Sequence, residues 1–259
     1  MPIKMIVTDL DGTLLRTDKT ISEYTKAILG KCRELGVKLV YATGRGGSAR
    51  RVAPSELFDG RITMNGAIIR VDEVIIHNTL IPYKVARPIL MACDKYGLKT
   101  ASEISGMHYS NFITSDEWPN IKNYEIVDFS RHEIDAEKLY AIVKNSDDIN
   151  FIKKHIPDSL YVTVSKDMLA QIMHIDATKS KAIAKLAEFW DIRQSEIIAF
   201  GDDLNDIDML SYAGIGIAME NAHNEVKAVA DQICLNNNEN GVAEWIKENI
   251  LVKYDYNKN

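Results

Sequence analysis

Apolar and polar positions keep a regular rhythm at both ends of this chain and a different one in its middle. Near the start, a short β-rich, mostly apolar run over residues 3–8 is followed by an amphipathic stretch over 22–35, stopped by Gly36, and then by a second mostly apolar run over 37–42. That order predicts strand, helix, strand. Strands buried on both faces of a parallel sheet lose the polar alternation of half-exposed ones, and Leu39-Val40-Tyr41-Ala42 and Ile197-Ile198-Ala199-Phe200 have that character. The rhythm returns over 179–191, where Ala182, Ile183, Leu186, Ala187 and Trp190 share one helical side. A strand over 196–200, a helix over 205–213 and a strand over 215–218 follow.

Residues 82–177 read differently. Helical periods over 83–96 and 136–145 are mixed with alternating strands such as 161–164 and 169–175, which predicts an antiparallel sheet with helices on one face. The fold class expected is therefore α/β: a Rossmann-like parallel-sheet core over 1–81 and 178–259 with an α+β domain inserted over 82–177. The alternative, which periodicity alone does not exclude, is one continuous sheet.

Composition narrows the function. The 259 residues are 46% hydrophobic and 26% charged, and 31 basic against 37 acidic side chains leave a net charge of -6, which disfavours nucleic acid as the main partner. Cys32, Cys93 and Cys234 are far apart with no C-x-x-C pair, so neither a disulfide framework nor a zinc knuckle is expected. The apolar stretch at 5–7 runs straight into Asp9 and Asp11, unlike a secretory leader, and no apolar run approaches the ~18 residues of a membrane span. A cytoplasmic protein without membrane partners is expected; its oligomeric state is not set by the sequence.

Candidate chemistry gathers just beyond the predicted strands. Asp9-Leu10-Asp11-Gly12-Thr13 follows the first, and a period of two aims both carboxylates to one side; the alternative is a turn built on Asp11-Gly12. Thr43-Gly44-Arg45 follows the second and offers a hydroxyl and backbone N–H groups to a phosphate oxygen, unless Thr43 merely caps a helix. Gly201-Asp202-Asp203-Leu204-Asn205-Asp206 follows a third, with more carboxylates than capping requires. Asn65-Gly66 and Asn221 lie past further strands. In open α/β sheets ligands bind beyond the carboxyl ends of the strands, where all of these fall. Lys179, with Lys181 close behind, starts a helix whose dipole disfavours cations, so an anion nearby is expected to compensate it; a solvated surface lysine is the other reading. Oxygen-rich ligands without suitably placed Cys or His suit Mg²⁺. A like-charged neighbour is expected to keep one acid of the Asp9/Asp11 pair partly protonated and the other ionised.

In order, Asp9-Leu10-Asp11-Gly12-Thr13, Thr43, Lys179 and Gly201-Asp202-Asp203-Leu204-Asn205-Asp206 resemble the four motifs of the haloacid dehalogenase-like (HAD) phosphohydrolases. Ala42-Thr43-Gly44-Arg45, Met64-Asn65-Gly66, Ala218-Met219-Glu220-Asn221-Ala222 and Gly241-Val242-Ala243 further resemble the Cof-type branch, whose large cap lies between the second and third motifs, the slot that 82–177 fills. The resemblance implies a Mg²⁺-dependent phosphatase acting on small phosphorylated metabolites, such as sugar phosphates or related cofactors, through an aspartyl-phosphate. It implies Asp9 as nucleophile, Asp11 as acid and base, and Thr43, Gly44, Lys179 and Asn205 at the phosphate. It implies Asp9, the Asp11 carbonyl, Asp202 and Asp206 at the metal. Ser180 stands where the family commonly has Gly after its lysine, which leaves Lys181 as the alternative to Lys179; Asp203 stands where many relatives carry a smaller residue. A phosphomutase, whose relatives usually carry their cap between the first two motifs, and a non-catalytic phosphometabolite sensor are the rival readings.

Overall fold

The computed structural model describes residues 2–165 and 167–252. The chain opens with β1 (Met5–Thr8), α1 (Glu23–Glu34), β2 (Lys38–Ala42), β3 (Gly60–Thr63), β4 (Ile68–Val71) and β5 (Val74–Asn78). It continues through α2 (Tyr83–Tyr96), β6 (Lys99–Ile104), β7 (Met107–Ser110), α3 (Thr114–Glu117), β8 (Tyr124–Ile126), β9 (Lys138–Ile142), α4 (Ser146–His155), β10 (Leu160–Val164) and β11 (Leu169–His174). Then come α5 (Lys179–Phe189), β12 (Ile197–Gly201), α6 (Ile207–Tyr212), β13 (Ile215–Met219), α7 (Asn224–Val229), β14 (Gln232–Cys234) and α8 (Gly241–Ile246).

Two compact units result, Met1–His77 with Thr178–Asn259, and Asn78–Ala177. The first is built on a sheet of order β14-β13-β12-β1-β2-β3-β4-β5, parallel from β14 through β3 and antiparallel at β3–β4. All residues of β1 and β12 are buried, so they carry no polar alternation and sit at the centre, as continuous apolar runs must. Ile28, Leu29 and Cys32 of α1 and Ala182, Ile183, Leu186 and Ala187 of α5 join the same apolar cluster. Because these strands are parallel, their C-terminal ends lie along one edge, and the loops that leave that edge carry Asp9, Thr43, Asn65, Asp202 and Asn221.

The second unit has a sheet of order β10-β11-β9-β6-β7-β8, antiparallel except for β7–β8. Helix α2 packs Ala86, Ile89, Leu90 and Cys93, and α4 its Ile152, on Leu139, Ala141, Ala170 and Ile172. The helix expected over 136–145 is not formed. Those residues contain β9, and the helix that follows is α4, capped by the Asn145 side chain on the Asp147 and Asp148 N–H groups. The cause is that β9 is apolar on both faces: Leu139 and Ala141 enter the helix-covered core, while Tyr140 and Ile142 pack with Ala101, Phe112 and Trp118. A strand buried on both sides has no period of two to betray it.

Candidate active site

Asp9 is the first residue beyond β1, fixed there by its N–H donating to the Phe200 carbonyl of β12, so strand pairing continues into the nucleophile candidate itself. Its carboxylate is buried. Lys179, the first residue of α5, is 1% exposed, and its Nζ donates to Asp9 Oδ1 at 2.6 Å and to Asp206 Oδ1 at 2.5 Å. The solvated-lysine reading therefore gives way to a buried ammonium forked between two carboxylates. Lys181 points its backbone N–H to the Thr178 cap and is exposed.

The other oxygen of Asp206 accepts from the N–H groups of Asp202 and Asp203 at 2.9 and 3.0 Å, which folds the acidic loop onto itself. Gly201 has no room for a side chain: a Cβ there would meet Asp206 Cβ at 2.5 Å. Asp202 Oδ1 in turn accepts from the Thr13 hydroxyl at 2.5 Å. One carboxylate oxygen from each of Asp9, Asp202 and Asp206 falls within 4.8 Å of the others.

Three carboxylates thus share one ammonium. Burial pushes the Asp9 carboxyl well above its usual value, with Lys179 working against the shift and Asp206 and Asp202 adding to it. Burial, then repulsion from Asp206 and Asp203, raises Asp202 to about 6 in spite of the Thr13 hydrogen bond. Burial opposes the Lys179 charge, but Asp206 and Asp9 outweigh it and its pKa is raised. The excess negative charge, carried on hard oxygen donors, fits a divalent cation of the Mg²⁺ kind, with Asp9, Asp202 and Asp206 as the side chains able to hold it.

Asp11 stands apart from this cluster. Arg45 grips its carboxylate with both Nε and a terminal nitrogen, the latter at 2.6 Å, and Lys19 Nζ lies 2.8 Å from Oδ1. Burial favours the neutral acid, yet the hydrogen bonds and charges of Arg45 and Lys19 outweigh it and hold Asp11 below its ordinary pKa. The shifts run opposite to the division expected between the two acids: Arg45 and Lys19 hold Asp11, the expected acid, below its ordinary value, and burial raises Asp9, the expected ionised nucleophile.

Thr43 is buried and its hydroxyl accepts from the Arg45 N–H at 3.2 Å. Gly44 lies against Asn65, where a Cβ would come 3.0 Å from Oδ1. Asn205 Nδ2 donates to that same Oδ1 at 3.0 Å, so the loops after β2, β3 and β12 meet here. Gly66, at φ 111°, leaves no space for a side chain beside the Thr178 carbonyl and so lets the start of α5 approach. Sequence reasoning gave no role to Arg45 or Lys19. Arg45 lies in a motif that was read for Thr43 and Gly44, and Lys19 sits on an exposed turn at φ 66°, a position that nothing in the hydrophobic pattern marks.

A parallel sheet carrying acids, a buried lysine and a threonine at its C-terminal edge defines a class, the haloacid dehalogenase-like hydrolases. The chain matches that family over residues 6–246 and belongs to it, in its Cof-type branch. It is 28% identical over 260 residues to the 5-amino-6-(5-phospho-D-ribitylamino)uracil phosphatase YitU of Bacillus subtilis (strain 168), covering 94% of this chain and 96% of that protein. YcsE of the same organism, named for the same activity, is 30% identical over 264 residues, with 96% of each covered. Among solved structures, the HAD phosphatase BT1666 from Bacteroides thetaiotaomicron superposes with a TM-score of 0.83 at 27% identity, over 95% of both chains. The HAD subclass IIB sugar phosphatase BT4131 does so with a TM-score of 0.79 at 26% identity, over 95% of this chain and 98% of that one. The protein is a HAD-type phosphatase.

Proposed function

We propose that this phosphatase is Mg²⁺-dependent and hydrolyses small phosphorylated metabolites, sugar phosphates or related cofactors, through an aspartyl-phosphate on Asp9. Residues 1–81 and 178–259 are the catalytic core in this reading, and 82–177 the cap. The observation that carries it is the meeting of Asp9, Asp202, Asp206 and the buried Lys179 at one place.

In the first half-reaction an Asp9 carboxylate oxygen attacks phosphorus in line, the bond from phosphorus to the ester oxygen breaks, and Asp11 gives its proton to the departing alkoxide. In the second, Asp11 takes a proton from water as that water attacks the acyl phosphate, which releases inorganic phosphate and returns Asp9. Lys179 holds charge that develops on the phosphoryl oxygens, and the Thr43 hydroxyl, the Gly44 N–H and Asn205 orient them. Mg²⁺, held by Asp9, Asp202 and Asp206 with the Asp11 carbonyl, supplies neutralisation of the phosphoryl charge when bound. Asp11 is ionised while Arg45 and Lys19 hold it, so it is ready as the base. To act first as the acid it has to part from them and take up a proton.

Sugar-type substrates are supported by relatives named for a phosphoribityl compound and for sugar phosphates, over nearly the whole chain. A small metabolite is also in keeping with the net charge of -6, and the free, buried Cys32, Cys93 and Cys234 with a reducing, cytoplasmic setting. Among the described residues, no helix is long and apolar enough to cross a membrane. Release of inorganic phosphate from an aryl phosphate and from a panel of sugar phosphates, with Mg²⁺ and with chelator, tests the reading. Turnover that requires Mg²⁺ and ranks sugar phosphates above the aryl ester is expected; tight binding of phosphorylated metabolites without turnover would replace the enzyme by a sensor.

A further inference from the structure

The turn after Asp11 is held from outside by carboxamides. Asn237, beyond β14 and only 8% exposed, donates from Nδ2 to the Leu15 carbonyl at 2.9 Å and from its backbone N–H to Asn221 Oδ1 at 3.0 Å. Asn221, beyond β13, donates from Nδ2 to the Gly12 carbonyl at 2.8 Å. The amide orientation of Asn221 follows from its partners, since its oxygen must face a donor and its nitrogen an acceptor. Both ends of the Gly12–Leu15 turn are therefore clasped by one connected pair.

Between those ends lie the contacts that reach the acidic cluster. The Thr13 hydroxyl donates to Asp202, and Gly12, at φ 81°, packs so closely on the Asp202 carboxylate that a Cβ would overlap it. A shift of this turn would move Asp202 with it. Asn238 extends the grip, accepting from the Thr17 N–H at 3.1 Å and donating to the Thr17 hydroxyl at 3.0 Å. Uncharged amides are the suitable chemistry here: a carboxylate would add to the repulsion at Asp202, and a lysine would compete with Lys19 for Asp11.

We propose that Asn221 and Asn237 are positioning residues for this reaction, fixing the Gly12–Leu15 turn and through it the metal-binding geometry of Asp202. The catalytic part of this inference rests on the phosphatase reading above, and the metal-binding part on the grouping of Asp9, Asp202 and Asp206.

The test uses the full-length protein as Asn221→Ala, Asn237→Ala and the double variant, with Mg²⁺ affinity by calorimetry, kcat and KM on an aryl phosphate, and the unfolding temperature. Outer contacts of this kind cost roughly ten- to a hundredfold in metal affinity when removed, and that weakening is expected in each single variant. A fall in kcat of about the same size is expected with KM little changed, the mark of lost geometry and not of lost substrate contacts. Because the two residues form one relay, the double variant should be about as impaired as the worse single one. Unchanged Mg²⁺ affinity and kcat would overturn the proposal, as would losses that track only the unfolded fraction. Asn221→Leu keeps about the same size and adds no charge while deleting the donor to Gly12, so it decides the matter should Asn237→Ala fail to fold: weakened Mg²⁺ binding supports the relay and wild-type binding refutes it. Should the wild-type protein bind Mg²⁺ yet hydrolyse no phosphate ester, the phosphatase reading fails and the calorimetric comparison still judges the clasp.

Discussion

Burying an ammonium group at the first residue of α5, where the helix dipole disfavours positive charge, costs free energy unless anions surround it. Asp9 and Asp206 do so for Lys179. Lys179→Met should therefore leave two carboxylates facing each other without a cation, and kcat should fall about 10²-fold or more. A steady-state rate equal to wild type would move the role to Lys181. Asp11 gives a second prediction at this scale. Its pKa lies below the ordinary value because Arg45 and Lys19 outweigh burial, so removing a cation raises it. In Arg45→Met the protonated fraction at a given pH is larger, and the alkaline limb of kcat/KM set by this acid should move to higher pH; an unmoved limb would contradict the pairing. The residues of the acidic cluster were legible because each directly follows an apolar run or opens an amphipathic one. Arg45 was not, since its bond to Asp11 spans 34 positions and is made by the folded chain alone.

Among the elements, β12 shows how a strand is fastened at its start. Glu196, 1% exposed, accepts from the Arg193 guanidinium at 2.7 Å and the Arg193 N–H at 3.0 Å, and lies 3.2 Å from Lys4 Nζ ahead of β1. Hydrogen bonds from Arg193, side chain first and backbone second, with a smaller share from Lys4, outweigh burial and lower its pKa from 4.5 to about 2. The unfolded chain binds this proton more readily, so the stabilisation is complete above about pH 4.5 and lost as pH falls toward about 2. Thermal unfolding across that window should show a steeper acid decline in wild type than in Glu196→Gln. Parallel curves would remove Glu196 from the account. Strands β1, β2 and β12 were legible from their mostly apolar runs, whereas β9 was not. Its two faces meet two different apolar clusters, and which residues meet which is decided by neighbours distant in sequence.

For the whole molecule, the parallel edge brings loops from strands more than 150 residues apart into one acidic centre, Thr13 with Asp202 at a separation of 189. Folding must hold that repulsion together. A cation that binds the native cluster and not the unfolded chain should raise the unfolding temperature, with about 2.7 kcal/mol of added stability at a hundredfold excess over Kd. Calorimetry with and without Mg²⁺ checks this, and an unshifted transition would count against a metal at Asp9, Asp202 and Asp206. The α/β alternation and the altered middle were readable in the hydrophobic rhythm, while the Asn221–Asn237 clasp was not, because amide hydrogen bonds leave no period behind. The most direct measurement of the central claim is mass analysis of protein quenched in acid during turnover. A phosphoryl group on the peptide containing Asp9, absent from Asp9→Asn, is the predicted result. Phosphoryl on another side chain, or undiminished hydrolysis by Asp9→Asn, would contradict it.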